Sequence, residues 1–153
     1  MPKVLLPVSH LKQKSDGDCL AACASMVMNF IGRSIEYPQL LTLLDIQSYG
    51  APAGNIRRLA QLELSVTYSV TDINGLLALL SNQIGVIVFL RTDDLPYWHH
   101  QTDHAVVVVG YDSDTRLIYL NDPYFDEYPI AVPQDYFELA WLERDYYYAV
   151  VVP

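Results

Sequence analysis

Four side chains in this sequence carry groups suited to acyl transfer. Cys19 offers a thiol, His104 an imidazole and Asp122 a carboxylate, and Gln13 precedes the cysteine by six positions. A thiolate attacks a carbonyl carbon, an imidazole oriented by a carboxylate moves protons, and amide N–H groups stabilise an oxyanion. These residue types predict a thiol nucleophile with its base and an oxyanion donor, provided that the fold brings them together.

Cys19 lies at the start of a predicted helix. Apolar residues recur at three- and four-residue spacing between Asp18 and Phe30, and Gly32 would end the helix. Asp18 suits the N-cap, where its carboxylate would accept N–H groups of the first turn. Cys19 would then lie at the positive end of the helix dipole, which favours a thiolate, while the charges of Asp16 and Asp18 would oppose it.

The predicted base and its carboxylate belong to one hairpin. Two β-branched and aromatic runs, at 104–112 and 116–122, are joined by the turn-like "SDT" and predict two antiparallel strands. His104 begins the first strand and Asp122 ends the second, so both would lie at the open end, where their side chains could touch. Asn121 is the other candidate for orienting the imidazole, because neighbouring strand residues point to opposite faces.

The rest of the chain places helices mainly before strands. This order is typical of an α+β domain and not of a doubly wound one, and a single domain over residues 1–153 is expected. Further helices are predicted at about 38–47, 55–63, 71–83 and 133–143, and further strands at 65–70, 85–91, 129–132 and 146–152.

Composition restricts the partners. The chain is 52% hydrophobic and 18% charged, which is typical of a folded protein. Nine Lys and Arg residues against eighteen Asp and Glu residues give a net charge of −9, which repels phosphate backbones and anionic lipid. We therefore expect no nucleic-acid partner, and a neutral or basic peptide as the more favourable ligand.

The sequence also indicates a cellular setting. Cys19 and Cys23 are four residues apart on one predicted helix, which disfavours a disulfide and predicts reduced thiols. We find no secretory-signal pattern and no apolar stretch of about 18 residues that could span a bilayer. We expect no membrane insertion and a cytoplasmic location, or export by a route that leaves no signal.

The order of these residues resembles that of the papain-like double-glycine leader peptidases, which process bacteriocin precursors, and of their stand-alone relatives. The resemblance covers almost the whole chain. It rests on Gln13, Asp18, Cys19, Ala22, Cys23, Met26, the run "HAVVVVGYD" that begins at His104, and "NDP" at 121–123.

The resemblance implies a bacterial thiol peptidase of papain-like fold, with N-terminal helices packed on an antiparallel sheet and with no metal or organic cofactor. By match of motif, Cys19 is the nucleophile and His104 the general base and acid. Asp122 is then the orienting carboxylate and Gln13 the oxyanion donor. The implied substrate is a peptide or protein, and the thioester could pass to water or to an amine. Without a GxxxxGK phosphate loop in this chain, any transporter partner would be a separate chain.

Two features bear on the substrate. Leu20 stands where the leader peptidases often have glycine, so the cleavage sequence and any preference for paired glycines stay open. The segment 93–103 carries Tyr97 and Trp98 just before His104. It is either a solvated loop or an overhang that offers aromatic surface to a bound peptide.

Two other classes compete with a peptidase. A peptide-binding module of the same fold could have lost turnover while keeping these residues. A zinc protein could use thiol and imidazole ligands, although the spacing fits no standard ligand pattern. The residues available for such a site are Cys19, Cys23, His99, His100 and His104.

Overall fold

The computed structural model describes residues 3–153 and confirms the α+β class. The strands are β1 (Lys3–Leu5), β2 (Ser65–Val70), β3 (Val86–Arg91), β4 (Asp103–Asp112), β5 (Leu117–Asn121), β6 (Ile130–Pro133) and β7 (Tyr147–Val152). The α-helices are α1 (Cys19–Phe30), α2 (Tyr37–Leu43), α3 (Ile73–Ser81) and α4 (Gln134–Leu142), and two 3₁₀ helices cover Ala53–Leu62 and Thr92–Asp94.

The described strands form one antiparallel sheet in the order β2-β7-β3-β4-β5-β6, with β1 paired to the end of β4. The centre of this sheet is deeply buried. Every residue from Val86 to Leu90 of β3 is buried, and successive strand residues point to opposite faces, so both faces of the strand must be covered. Helices α1 and α4 both contact β3, and α1 also packs on β4. The start of α1 is thereby held against the strand that carries His104.

Helix α1 is nearly all core, which fixes its position. Its residues from Leu20 to Ala24 are buried, as are those from Met26 to Met28. The helix ends before Gly32, whose φ of +75° suits a left-handed stop. The loop before the helix is equally constrained at Gly17, because a Cβ there would lie 2.5 Å from the carbonyl oxygen of Gln47.

Two predicted helices differ from the structure for local reasons. Helix α2 ends at Leu43 because Asp45 takes a positive φ of 55°, which breaks the right-handed helix. The predicted helix at 55–63 is a 3₁₀ helix, Ala53–Leu62. Its fully buried residues, Ile56 and Leu59, are three apart, which suits three residues per turn. Strand β1 has no counterpart among the predictions, because three residues are too few to show a pattern.

Candidate active site

The imidazole of His104 and the carboxylate of Asp122 are in direct contact. His104 Nε2 lies 2.7 Å from Asp122 Oδ1, and the two residues are 5% and 0% exposed. The predicted hairpin of β4 and β5 accounts for this contact, with Val107 paired to Asn121. Asp122 follows β5 directly and reaches His104 on the neighbouring strand. Since Nε2 is taken by the carboxylate, Nδ1 is the nitrogen left to serve Cys19.

The alternative carboxamide, Asn121, faces elsewhere. Its Nδ2 donates to the carbonyl oxygen of Val8 at 3.0 Å, and the residue is 1% exposed. This hydrogen bond ties the end of β5 to the segment after β1. Of the two candidates, Asp122 is therefore the one that contacts the imidazole.

A cage of donors surrounds the Asp122 carboxylate. Tyr97 Oη donates to Oδ2 at 2.7 Å, Trp98 Nε1 donates to the same oxygen at 2.9 Å, and the Tyr124 N–H donates to Oδ1 at 3.0 Å. Burial raises the pKa of Asp122, but the positive charge and hydrogen bond of His104 outweigh it and leave the pKa below its ordinary value. Buried carboxylates persist as anions only when they are paired and hydrogen-bonded in this way.

The segment 93–103 is therefore more than a solvated loop. The hydroxyl of Tyr97 and the indole N–H of Trp98 both serve Asp122. Burial, and then the charge of Asp122, raises the pKa of Tyr97, so its hydroxyl stays a donor at all working pH values. Trp98 also lines the cleft that contains Cys19, whereas Tyr97 does not. Tyr124 was not singled out from the sequence, because its contribution is a backbone N–H that any residue could make.

The two cysteines differ sharply in their settings. Cys19 is partly exposed at the first position of α1, while Cys23 is fully buried one turn further on. Burial raises the pKa of the Cys19 thiol, but the hydrogen bond and charge of His104 lower it more, so the net pKa is below its ordinary value. Burial raises the pKa of Cys23 well above its ordinary value. Of the two thiols, Cys19 therefore has the lowered pKa and lines the cleft, and Cys23 is part of the core.

The pKa of the His104 imidazole is shifted in the opposite direction to that of the Cys19 thiol. Burial lowers the pKa of His104, but the charge and hydrogen bond of Asp122, with a further contribution from Cys19, leave it above its ordinary value. A lowered thiol pKa beside a raised imidazole pKa favours a thiolate–imidazolium pair at neutral pH. Such a pair holds a nucleophile and an acidic proton ready in the same place.

Asp18 departs from the expectation that it caps α1. The residue occupies the N-cap position, but its side chain makes no capping hydrogen bond. The carboxylate is 2% exposed and turns back to accept the N–H groups of Lys14 and Ser15, at 3.1 and 2.8 Å, and the hydroxyl of Tyr37. Tertiary partners have therefore replaced the local cap, and the first-turn N–H groups of α1 are not occupied by this side chain.

Gln13 shares the cleft with Cys19. Its Nε2 donates to the carbonyl oxygens of Ser15 and Asp16, at 2.8 and 3.2 Å, and its backbone N–H donates to Pro123 at 2.7 Å. The side-chain oxygen of Gln13 is buried and has no hydrogen-bond partner. The amide is held near the thiol, but in this structure both of its N–H groups face carbonyls of its own loop.

An open cleft of about 490 Å³ contains these groups. Its lining comes from the loop before α1, the turn that carries Tyr49, and the start of β4 with Trp98. Tyr49 is 85% exposed at the rim, on a two-residue turn closed by reciprocal backbone bonds between Gln47 and Gly50. A large aromatic ring kept in solvent beside a cleft is a candidate contact for a ligand. Leu20 is only 3% exposed, so it lies in the floor of the cleft.

In the part of the chain that the structure describes, the cysteines and histidines do not bring three ligand atoms together. Within residues 3–153, the group that could hold an ion is formed by Asp93, Asp94 and Glu143, whose ligand atoms lie within 4.8 Å of one another. These are surface carboxylates without thiol or imidazole ligands. The described part of the chain thus does not bring together the ligand set that the zinc hypothesis needs. No helix in it is long and apolar enough to cross a bilayer.

The fold defines the class: N-terminal helices packed on an antiparallel sheet, in the arrangement of papain-like cysteine peptidases. The chain belongs to the Peptidase_C39 like family, whose model matches residues 5–149. No curated protein sequence matches the chain significantly.

Solved structures share this fold at low sequence identity. A protein described as a C39-like peptidase from Bacillus anthracis has a TM-score of 0.82 at 18% identity, over 99% of this chain and 98% of its own. The peptidase domain of Streptococcus ComA, a bifunctional ABC transporter of a quorum-sensing pathway, has a TM-score of 0.76 at 17% identity, over 95% and 98%. A double-glycine motif protease from an AMS/PCAT transporter, in complex with the leader peptide, has a TM-score of 0.73 at 15% identity, over 98% and 94%.

Proposed function

We propose that this chain is a cysteine peptidase that cleaves a peptide bond through a thioester on Cys19. His104 serves as general base and acid, oriented by Asp122. Gln13 and the backbone N–H of Cys19 stabilise the oxyanion. The observation that carries the proposal is the buried contact between His104 and Asp122 beside a thiol whose pKa is lowered.

In the proposed acylation step, the Cys19 thiolate forms a C–S bond with the carbonyl carbon of the scissile peptide bond. The π electron pair moves to the carbonyl oxygen, which Gln13 and the Cys19 N–H then stabilise. When this tetrahedral intermediate collapses, the C–N bond breaks, and the leaving nitrogen takes its proton from the His104 imidazolium. The products are a free amine, a thioester and a neutral imidazole.

In the proposed deacylation step, His104 removes a proton from water as the water oxygen bonds to the thioester carbon. The C–S bond then breaks, a carboxylic acid leaves, and the thiolate–imidazolium pair is restored. An amine in place of water would give acyl transfer by the same steps.

The substrate is proposed to be a peptide that lies in the cleft. Trp98 and the exposed ring of Tyr49, which both line the cleft, are proposed to contact it, while Tyr97 acts only through Asp122. The net charge of −9 favours a neutral or basic segment. Because one structural neighbour is described in complex with a leader peptide, leader segments are the first substrates to test. A transporter would be the expected partner if such a leader is cleaved.

The test is a comparison of wild-type protein with Cys19→Ala on a diverse peptide library, with products sequenced by mass spectrometry. We expect new peptide ends with the wild type and none with the variant. Cys23→Ala, which changes the buried thiol of the same helix, is the matched control and should keep the cleavage pattern. Cleavage confined to paired glycines would indicate leader processing, and amine adducts would indicate acyl transfer. Identical product lists for wild type and Cys19→Ala would refute the peptidase and favour a binding module.

A further inference from the structure

The Asp18 carboxylate has a task that the proposed reaction leaves unexplained. It is 2% exposed, directly precedes the predicted nucleophile, and does not cap the helix that it begins. Removing a carboxylate from water is costly unless donors replace the lost hydration. Here the N–H groups of Lys14 and Ser15, the Ser15 hydroxyl at 3.4 Å and the hydroxyl of Tyr37 replace it.

Tyr37 reaches this carboxylate from another helix. It lies at the start of α2, nineteen residues after Asp18. Burial, and then the hydrogen bond and charge of Asp18, raises the pKa of Tyr37, so the hydroxyl remains a donor. The Lys14 ammonium lies 4.7 Å from the centroid of the same ring. Helix α2 therefore fastens the loop before α1 at one buried point.

That loop presents Gln13 to the cleft. The Asp18 carboxylate holds the N–H of Ser15, and the carbonyl oxygen of Ser15 accepts Gln13 Nε2 at 2.8 Å. The second Gln13 bond, to Asp16, is longer at 3.2 Å and is the weaker of the two. Ser15 can thus keep one amide hydrogen while the other turns from Asp16 toward an oxyanion.

We propose that Asp18 and Tyr37 are positioning residues that hold the Gln13 amide, through Ser15, for oxyanion stabilisation. The inference rests on the proposed function, because it assigns a task within the same reaction. Neither side chain touches the reacting atoms. Because they act on the reaction only by positioning the loop that carries Gln13, their effect on oxyanion stabilisation should depend on the presence of Gln13.

The experiment uses two probes that react with the same thiol. Iodoacetamide alkylates Cys19 by displacement of iodide and forms no oxyanion. The peptide aldehyde acetyl-glycyl-glycinal forms a C–S bond with Cys19, its π pair moves to oxygen, and the resulting hemithioacetal oxyanion accepts hydrogen bonds from the oxyanion donors while His104 keeps its proton. Only the second probe uses the oxyanion donors, so the ratio of the two responses isolates their contribution.

For Tyr37→Phe we expect aldehyde affinity to fall about ten-fold, less than the roughly 100-fold cost of deleting an oxyanion donor. The alkylation rate should stay near the wild-type value, and the melting temperature should fall by only a few degrees, because the Asp18 carboxylate keeps the N–H groups of Lys14 and Ser15. Asp18→Asn should show a larger loss of aldehyde affinity, since it removes the charge and replaces one of the two acceptor oxygens by an NH₂ donor. Tyr136→Phe, at an exposed tyrosine of α4, is the matched control and should match the wild type with both probes.

A double-mutant cycle tests whether Tyr37 affects aldehyde affinity through Gln13. In a Gln13→Ala background, Tyr37→Phe should cause no further loss of aldehyde affinity. An equal further loss in that background, or a parallel fall in alkylation, would overturn the positioning role while leaving the peptidase intact. A wild-type protein that alkylates normally but forms no aldehyde adduct would instead overturn the proposed carbonyl attack, and this inference with it.

Discussion

His104→Ala is expected to slow peptide cleavage by roughly 10²- to 10⁴-fold, the range for loss of a general acid–base group. The same change should make Cys19 less reactive than free cysteine toward iodoacetamide at neutral pH. The reason is the balance of effects on the pKa of Cys19: burial raises it, and the hydrogen bond and charge of His104 bring it below its ordinary value. Without the imidazole, burial remains and the pKa rises.

The measurement is the rate of iodoacetamide alkylation as a function of pH. In the wild type the rate should rise at a lower pH than for free cysteine, because the thiolate forms earlier. In His104→Ala the rise should move to higher pH than for free cysteine. His99→Ala, at an exposed histidine five residues earlier, should follow the wild-type curve. Identical curves for His104→Ala and the wild type would show that the imidazole does not activate this thiol.

Asp122→Asn should lower the rate of peptide cleavage at least about 100-fold. The reason is that the carboxylate of a catalytic triad fixes which ring nitrogen of the histidine carries the proton. The carboxylate accepts from every neighbour, and Trp98 Nε1 can only donate. An asparagine would therefore lose a hydrogen bond in either orientation, because its NH₂ would meet Trp98 Nε1 at one position and the Tyr124 N–H at the other. With the NH₂ toward His104, the imidazole would have to accept at Nε2 and carry its proton on Nδ1, the nitrogen that should receive the proton of Cys19.

This variant changes both the charge beside His104 and the position of its proton, and each change has its own measurement. The pKa of His104, raised by Asp122 against the lowering effect of burial, should fall, and the thiolate–imidazolium pair with it. Alkylation of Cys19 at neutral pH should slow accordingly, and histidine NMR signals should report the changed tautomer. Asp114→Asn, an exposed carboxylate in the β4–β5 turn, is the matched control and should leave cleavage unchanged. Unchanged cleavage in Asp122→Asn would contradict the assigned role of the carboxylate.

The sequence was sufficient to predict that His104 and the end of β5 meet at the open end of the hairpin. It was not sufficient to predict which residue there accepts the hydrogen bond of the imidazole. Strand alternation allowed either Asn121 or Asp122 to face His104. The structure resolves this through the hydrogen bond from Asn121 to Val8 and the donors around Asp122. Val8 belongs to a segment more than a hundred residues earlier, and no local pattern indicates such a partner. Long-range hydrogen bonds of this kind decide which side of a strand end faces a site.

For Asp18, the local sequence pattern predicted the wrong hydrogen-bond partners. Its position and residue type favour an N-cap, and this preference is worth only about 1 kcal/mol. The hydrogen bonds that the buried carboxylate accepts from two loop N–H groups and from the hydroxyl of Tyr37 together outweigh that local preference. The sequence contains no signal for the pairing with Tyr37, because the contact depends on how α1 and α2 pack. Local rules predict the elements well and the tertiary hydrogen bonds poorly.

A covalent acyl group on Cys19 should be captured by a quenched reaction. Wild-type protein is mixed with an activated ester of acetylglycine, stopped in acid within the first turnovers, digested and analysed by mass spectrometry. We expect an acetylglycyl group on the peptide that contains Cys19, absent in Cys19→Ala and slow to accumulate in His104→Ala. Ester turnover with the acyl group on another residue, or with no acyl group on the protein, would show that Cys19 is not the nucleophile.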